Sequence, residues 1–142
     1  VSTIADTVAE LEADLGLFDS WEDRYRYILD LGKALAPLPD AQRTEATRVR
    51  GCASNAWLVS QRNRDGRLTF AGDSDAHIVR GLIAILVRLY SSRTPDEIAA
   101  LPPETAFGRL GLKDALTAQR SNGLAAMAAR IRQECGLPPA SP

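Results

Sequence analysis

The chain has 142 residues, 45% apolar and 25% charged, which fits one domain with a real hydrophobic core and excludes a disordered chain. Two cysteines, Cys52 and Cys135, and one histidine, His77, are too few for a disulfide scaffold, a four-cysteine cluster or a three-histidine metal site. The formal charge of −1 argues against a surface built to hold nucleic acid, but it is unevenly spread. Residues 1–40 carry nine acids against Arg24, Arg26 and Lys33, a balance of −6, whereas residues 41–67 carry six arginines against Glu45 and Asp65, a balance of +4.

In chain order, Ile4, Val8, Leu11 and Leu15 form one stripe of an amphipathic helix that Gly16 closes, within an N-terminal helical segment ending by residue 19. Ser20 with Asp23 three residues on is a start signal for a second helix. Its stripe of Trp21, Tyr25, Ile28, Leu29 and Leu35 runs until Pro37 and Pro39 stop it. The period then changes. Val49 begins a short extended stretch interrupted at Gly51 and Cys52. Residues 56–62 (AWLVSQR) read as a strand, 63–66 (NRDG) as a turn with glycine at positive φ, and 67–71 (RLTFA) as the returning strand. Three neighbouring strands predict a small antiparallel meander with Cys52 at its first corner.

Asp73 or Ser74 is placed to cap the following helix, where eleven of the sixteen residues 75–90 are apolar and a central position is expected. Thr94, Pro95 and Glu97 mark a short helix to Leu101 with a capping box. Pro102 and Pro103 end it, and Phe107, Leu110 and Leu112 read as anchors of an irregular helical connection. A last helix opens at Ser121 or Asn122 and ends at Cys135, with Leu124, Ala128, Ile131 and Cys135 on one stripe. Gly136 suits its C-terminal cap, and residues 136–142 read as a flexible tail. The chain reads as a single domain over 1–142. Neither a signal-peptide pattern nor an apolar run of ~20 residues is readable, so a soluble protein of the cytoplasm is the expectation.

Cys52 follows Gly51 in a bend, flanked by Arg48, Arg50 and Ser54. Nearby cations favour the thiolate, which attacks sulfur or binds metal, while burial as a small apolar residue is the equally weighted structural reading. Cys135 continues an apolar stripe and reads as packing. His77 and the Asp73, Ser74, Asp75 cluster lie at a helix start, where solvation and capping account for them. Arg120 reads as a solvated or carbonyl-binding residue. The arginines of residues 43–67 could contact phosphate, but Trp57 alone is too sparse for a base-stacking platform.

Residues 49–57 (VRGCASNAW) resemble the active-cysteine segment of the SufE family of sulfur acceptors, which includes the related CsdE proteins. The resemblance continues in WEDRYRYILDLGKAL, FAGDSDAHIVRGLIAILVRLYSSRTPDEI and LTAQRSNGLAAMAARIR, covering residues 20–132 in consistent order. It implies an α+β fold of the SufE/NifU type, a two-layer arrangement of a small antiparallel sheet packed against helices. It further implies that Cys52 accepts sulfur from a cysteine desulfurase of the SufS/CsdA type, whose pyridoxal phosphate (PLP) stays in that partner, so that this chain needs no cofactor of its own. The chain would then stimulate the desulfurase rather than act as a stand-alone enzyme, and pass sulfur to an iron–sulfur scaffold complex of the SufBCD type. Gly51, Ser54, Asp75 and Arg120 match family positions and are carried over as supporting residues, in a monomer or weak homodimer without nucleic-acid or membrane partners. Where relatives often carry glutamine after the cysteine, glutamine two residues further on and a β-branched residue before the tryptophan, this chain has Ala53, Asn55 and Ala56. The competing expectations are a metal or cluster scaffold using Cys52 with ligands from a partner, and a nucleic-acid module using the arginine-rich hairpin.

Overall fold

A computed structural model describes residues 2–112, 116 and 118–138. The first apolar stripe folds as α1 (Ile4–Gly16), and Ile4, Val8, Leu11 and Leu15 are all buried. Thr3 and Asp6 close its N-terminus reciprocally, each side chain accepting from the other's backbone N–H. Helix α2 (Trp21–Lys33) starts at the expected cap, Ser20 Oγ accepting from Asp23 N at 3.1 Å. Its stripe is rotated slightly from the expected one. Tyr25 stays exposed, and Tyr27 turns inward to stack on Phe18 and donate to Asp14.

Strands β1 (Ala56–Arg62) and β2 (Leu68–Ser74) pair antiparallel, with Ala56 opposite Ser74 and Arg62 opposite Leu68. The turn between them places Gly66 at φ 84°, as its NRDG sequence demands. The expected third strand does not form. Arg48 makes a single antiparallel bridge to Trp57, held by Val49 N to Ala56 O and Leu58 N to Thr47 O, both 2.8 Å. Extension fails on both sides of that bridge. Thr44 and Thr47 hydrogen-bond each other's backbone and curl the approach into a turn, while Gly51 at φ 94° turns the chain away beyond it. The sheet among the described residues is therefore two-stranded.

Strand β2 runs three residues past Ala71, so Asp73 and Ser74 belong to the sheet and do not cap a helix. Helix α3 (His77–Tyr90) instead begins after Ala76 without a side-chain cap, and Ser74 Oγ accepts from Ala76 N at 3.1 Å. As its composition requires, α3 is central, with nine of its 14 residues buried. It approaches α2 through glycines: a Cβ on Gly32 would stand 2.6 Å from Gly81 N, and one on Gly81 would collide with the Ile28 carbonyl. It approaches β2 at Gly72, where a Cβ would meet Ile83 Cγ2 at 2.7 Å.

Helix α4 (Pro95–Ala100) carries the expected Thr94–Glu97 capping box. The segment expected to be irregular is a regular helix, α5 (Pro103–Leu110). Pro103 is tolerated at its first turn, where no intrahelical N–H bond is lost, and Gly111 ends it in the left-handed conformation. Helix α6 (Ala118–Glu134) starts before Ser121, and Leu124, Ala128, Ile131 and Cys135 are buried as their spacing predicts. Gly136 follows at φ 73°. The tail expected over 136–142 lies from residue 139 outside the described residues. Among the described residues no helix is long and apolar enough to cross a membrane.

Candidate functional site around Cys52

The two-stranded sheet leaves residues 52–55 as a loop between the Arg48 bridge and β1, and this loop rests on α6. Gly51 is favoured at its start by its positive φ, and a Cβ there would also press on Ala126 Cβ at 3.2 Å. Cys52 is half-buried, its Sγ 3.6 Å from the carbonyl oxygen of Gly123. Gly123 gives the sulfur room, since a Cβ in its place would press on it at 3.3 Å. Small residues three apart on one face of α6 thus receive the cysteine loop.

Side chains tie the loop on either side of the sulfur. Arg120 Nη1 donates to Ser54 Oγ at 2.8 Å. The carbonyl of Asn55 accepts from Ser74 Oγ at 2.6 Å and from Asp75 N at 3.2 Å, and the Asn55 side-chain amide donates to Asp75 Oδ2 at 2.9 Å. Arg130 clamps the approach by donating to the carbonyls of Ala46 and Arg48 while pairing with Glu134 at 2.8 Å. Of the residues singled out beforehand, Gly51, Ser54 and Arg120 gather at Cys52, and Asp75 reaches the loop through Asn55. Asn55, Gly123, Ala126 and Arg130 were not anticipated. For Gly123 and Ala126 the one signal was the run of small residues at helical spacing in SNGLAAMAAR, and Asn55 and Arg130 carried none.

The electrostatics differ from the charge pattern in the sequence. Burial pushes the Cys52 thiol up from its ordinary value, and Arg120 pulls it part of the way back. Arg48 and Arg50, its neighbours in sequence, pair instead with Glu45 at 3.7 and 3.9 Å. The thiol is therefore protonated at neutral pH while it lies against α6. Alkylation of Cys52 by iodoacetamide is expected to rise along a pH profile displaced to the alkaline side of an unperturbed cysteine. Arg120→Met is expected to displace it further, because a cation that favours the thiolate is gone. A profile that does not move in this variant would show that Arg120 does not act on the sulfur.

The other candidates lie elsewhere. Cys135 is buried, its thiol pushed up to about 11 by burial. Along α6 it stands about 18 Å from Gly123 at 1.5 Å per residue, too far for a bond to Cys52. His77 is exposed at the start of α3. Arg62, Arg64 and Arg67 surround the hairpin end of β1, about 20 Å of strand away from Ala56. There Arg67 is paired with Glu97 at 3.2 Å and Asp65 at 3.5 Å. Among the described residues no three His, Cys, Asp or Glu side chains converge as a metal-ligand set.

Asp73, expected at a helix cap, is instead buried in the sheet at 1% exposure. It accepts from Leu38 N at 3.0 Å and Ser74 N at 2.8 Å, and pairs with Arg80 and with Arg43 at 2.6 Å. Burial works against its charge, but the Leu38 and Ser74 amides and the two guanidinium groups outweigh it and hold the carboxyl below its ordinary range. Arg43 also lies over the Trp57 ring, 5.5 Å from its centroid. This cluster fastens the segment after α2 to the strand ends that carry the Cys52 loop.

Comparison with known proteins places the chain in a family. The family profile described as SufE, Fe-S metabolism associated domain, matches residues 9–135. An uncharacterized SufE-like protein of Rhizobium etli is 50% identical over 124 residues, covering 85% of this chain and 84% of the relative. An uncharacterized SufE-like protein of Rhizobium meliloti is 46% identical over 124 residues, covering 85% and 89%. In three dimensions the chain resembles the solution structure of a hypothetical protein from Thermus thermophilus, with a TM-score of 0.73 at 19% identity over 92% of this chain and 93% of that one. That last likeness is one of fold.

Proposed function

Because this chain belongs to the SufE family, a family associated with iron–sulfur metabolism, we propose that Cys52 takes sulfane sulfur from the persulfide of a PLP-dependent cysteine desulfurase and carries it to iron–sulfur cluster assembly. The observation that carries the reading is the setting of Cys52, a thiol on a glycine-hinged loop, half-buried against the Gly123 carbonyl with the Arg120 cation acting on it.

The transfer is an exchange at sulfur. The Cys52 thiolate attacks the outer sulfur of the donor persulfide, a new S–S bond forms as the donor's breaks, and the donor cysteine leaves as a thiolate that takes up a proton. No net oxidation occurs, so one cysteine in this chain suffices. Arg120 favours the attacking anion. The resting seat on α6 keeps the sulfur protonated and shielded from oxidants, and docking of the desulfurase, of the SufS/CsdA type, draws the loop outward. Cys52 is then freed from burial and its thiol falls toward the ordinary range. Delivery follows to a scaffold complex of the SufBCD type in the cytoplasm.

Incubation of the full chain with a cysteine desulfurase, PLP and cysteine is expected to add the mass of one sulfur atom, removable by reductant and mapping to the Cys52 peptide. Labelling of Cys52 by a small thiol reagent is expected to speed up when the desulfurase is added without cysteine. No gain of sulfur from a cognate desulfurase would overturn the reading, and unchanged labelling would overturn the outward movement of the loop.

A further inference from the structure

A cleft of about 470 Å³ lies between the segment around Glu45 and Arg50 and the outer face of α6, within the range of small-molecule sites. A second concavity of about 230 Å³ is lined by Arg48, Val49, Arg50, Gly51 and Cys52. Arg48, Val49 and Arg50 are walls of both, and Arg50 is two residues from Cys52, so their backbones are separated by at most about 7 Å.

The two arginines are the available cations. Arg130, on the same wall, spends its nitrogens on the carbonyls of Ala46 and Arg48 and on Glu134, which holds the cleft in shape. Arg48 and Arg50 are met only loosely by Glu45, which is three-quarters exposed. Exposed pairs of this kind contribute little and yield readily to a better anion. Ala126 and Ala129 leave room on the helix side. A cationic cleft of this size beside a sulfur-carrying cysteine fits a small thiol bearing carboxylates, which two guanidinium groups can grip in a fixed orientation.

We propose that this cleft binds a low-molecular-mass, carboxylate-bearing persulfide and that Cys52 takes sulfane sulfur from it directly, without a protein donor. The proposal rests on the reading of Cys52 as a sulfur carrier. The Cys52 thiolate attacks the outer sulfur of the bound persulfide, the S–S bond of the small molecule breaks, and its thiolate leaves and takes up the proton that Cys52 released. The sulfur moves at unchanged oxidation level, so no oxidant or reductant is required.

The test uses the full chain, with glutathione persulfide as the anionic donor and cysteamine persulfide as a cationic one, and the rate of sulfur gain on Cys52 read by intact mass. The ratio of the two rates is compared between variants, which removes the intrinsic difference in reactivity of the donors. The double variant Arg48→Gln, Arg50→Gln is expected to lower the ratio about tenfold, and Glu45→Gln to raise it. A ratio that is the same in wild type and both variants overturns the proposal. If the double variant slows loading by the desulfurase and leaves the ratio unchanged, the arginines serve an acidic segment of the protein donor and the proposal also fails. A wild type loaded by the desulfurase but indifferent to the arginines with small donors loses only this inference. A wild type loaded by neither loses the carrier reading as well.

Discussion

Cys52→Ser is expected to abolish sulfur uptake from the desulfurase while leaving the fold in place. Among the described residues the Cys52 sulfur has one hydrogen-bond contact, the 3.6 Å approach to the Gly123 carbonyl, and a serine hydroxyl can donate to the same oxygen. The stability change should therefore stay within about 1 kcal/mol, the scale of one such bond. The chemistry has no such substitute, since a hydroxyl is not ionised at neutral pH and does not attack persulfide sulfur. Cys135 cannot replace it, because its thiol is buried and pushed up to about 11. Intact mass after incubation with desulfurase, PLP and cysteine should show no added sulfur on the variant, with circular dichroism matching the wild type. Retained uptake in Cys52→Ser would transfer the role to Cys135. The same pair of proteins separates a carrier from a scaffold that binds metal through Cys52, since a carrier gains sulfur in metal-free buffer containing a chelator.

The largest effect on stability is expected from Asp73→Ala, a loss of about 3–5 kcal/mol, the range found when one partner of a buried ion pair is removed. Its carboxylate satisfies Leu38 N, Ser74 N, Arg43 and Arg80 together, so truncation orphans two amides and takes the buried counter-charge from two guanidinium groups. The arginine side chains keep some access to water, at 34% and 18% exposure, which favours the lower part of that range. Urea unfolding read by circular dichroism gives the value, and a loss below about 1 kcal/mol would show that the cluster is dispensable. Acid gives an independent readout. The unfolded chain holds the Asp73 proton more tightly than the folded one, so the stabilisation is complete above the unfolded value of about 3.9 and is lost as pH falls through the lower folded value. Asp73→Asn should accordingly flatten the decline of stability with acid relative to the wild type.

Asp73 also shows where local reading fails. Two acids and a serine ahead of a helix carry the composition of an N-cap, and nothing in residues 73–75 reveals that β2 continues through Asp73 and Ser74. That continuation depends on pairing with residues 56–58 and on cations from two other segments, Arg43 and Arg80. The third strand fails for the same kind of reason: its residues can extend, but turns at Thr44 and Gly51 leave only Arg48 in register with Trp57. Helix α5 erred the other way, because two prolines that end one helix also start the next.

What the sequence determined by itself was local or periodic. Apolar spacing set the buried faces of α1, α3 and α6, the caps at Ser20 and Thr94 set helix starts, the NRDG turn set the hairpin, and the ordered motifs around Cys52 marked the family. The state of that sulfur was decided only in three dimensions. The sequence sets Arg48 and Arg50 beside Cys52, yet Glu45 takes their charge, while the cation that acts on the thiol is Arg120 and the surface that buries it is Gly123, 71 positions along the chain. Burial and charge act through space and fall off over a few ångströms, so the pKa and shielding of Cys52 follow from what α6 brings against the loop.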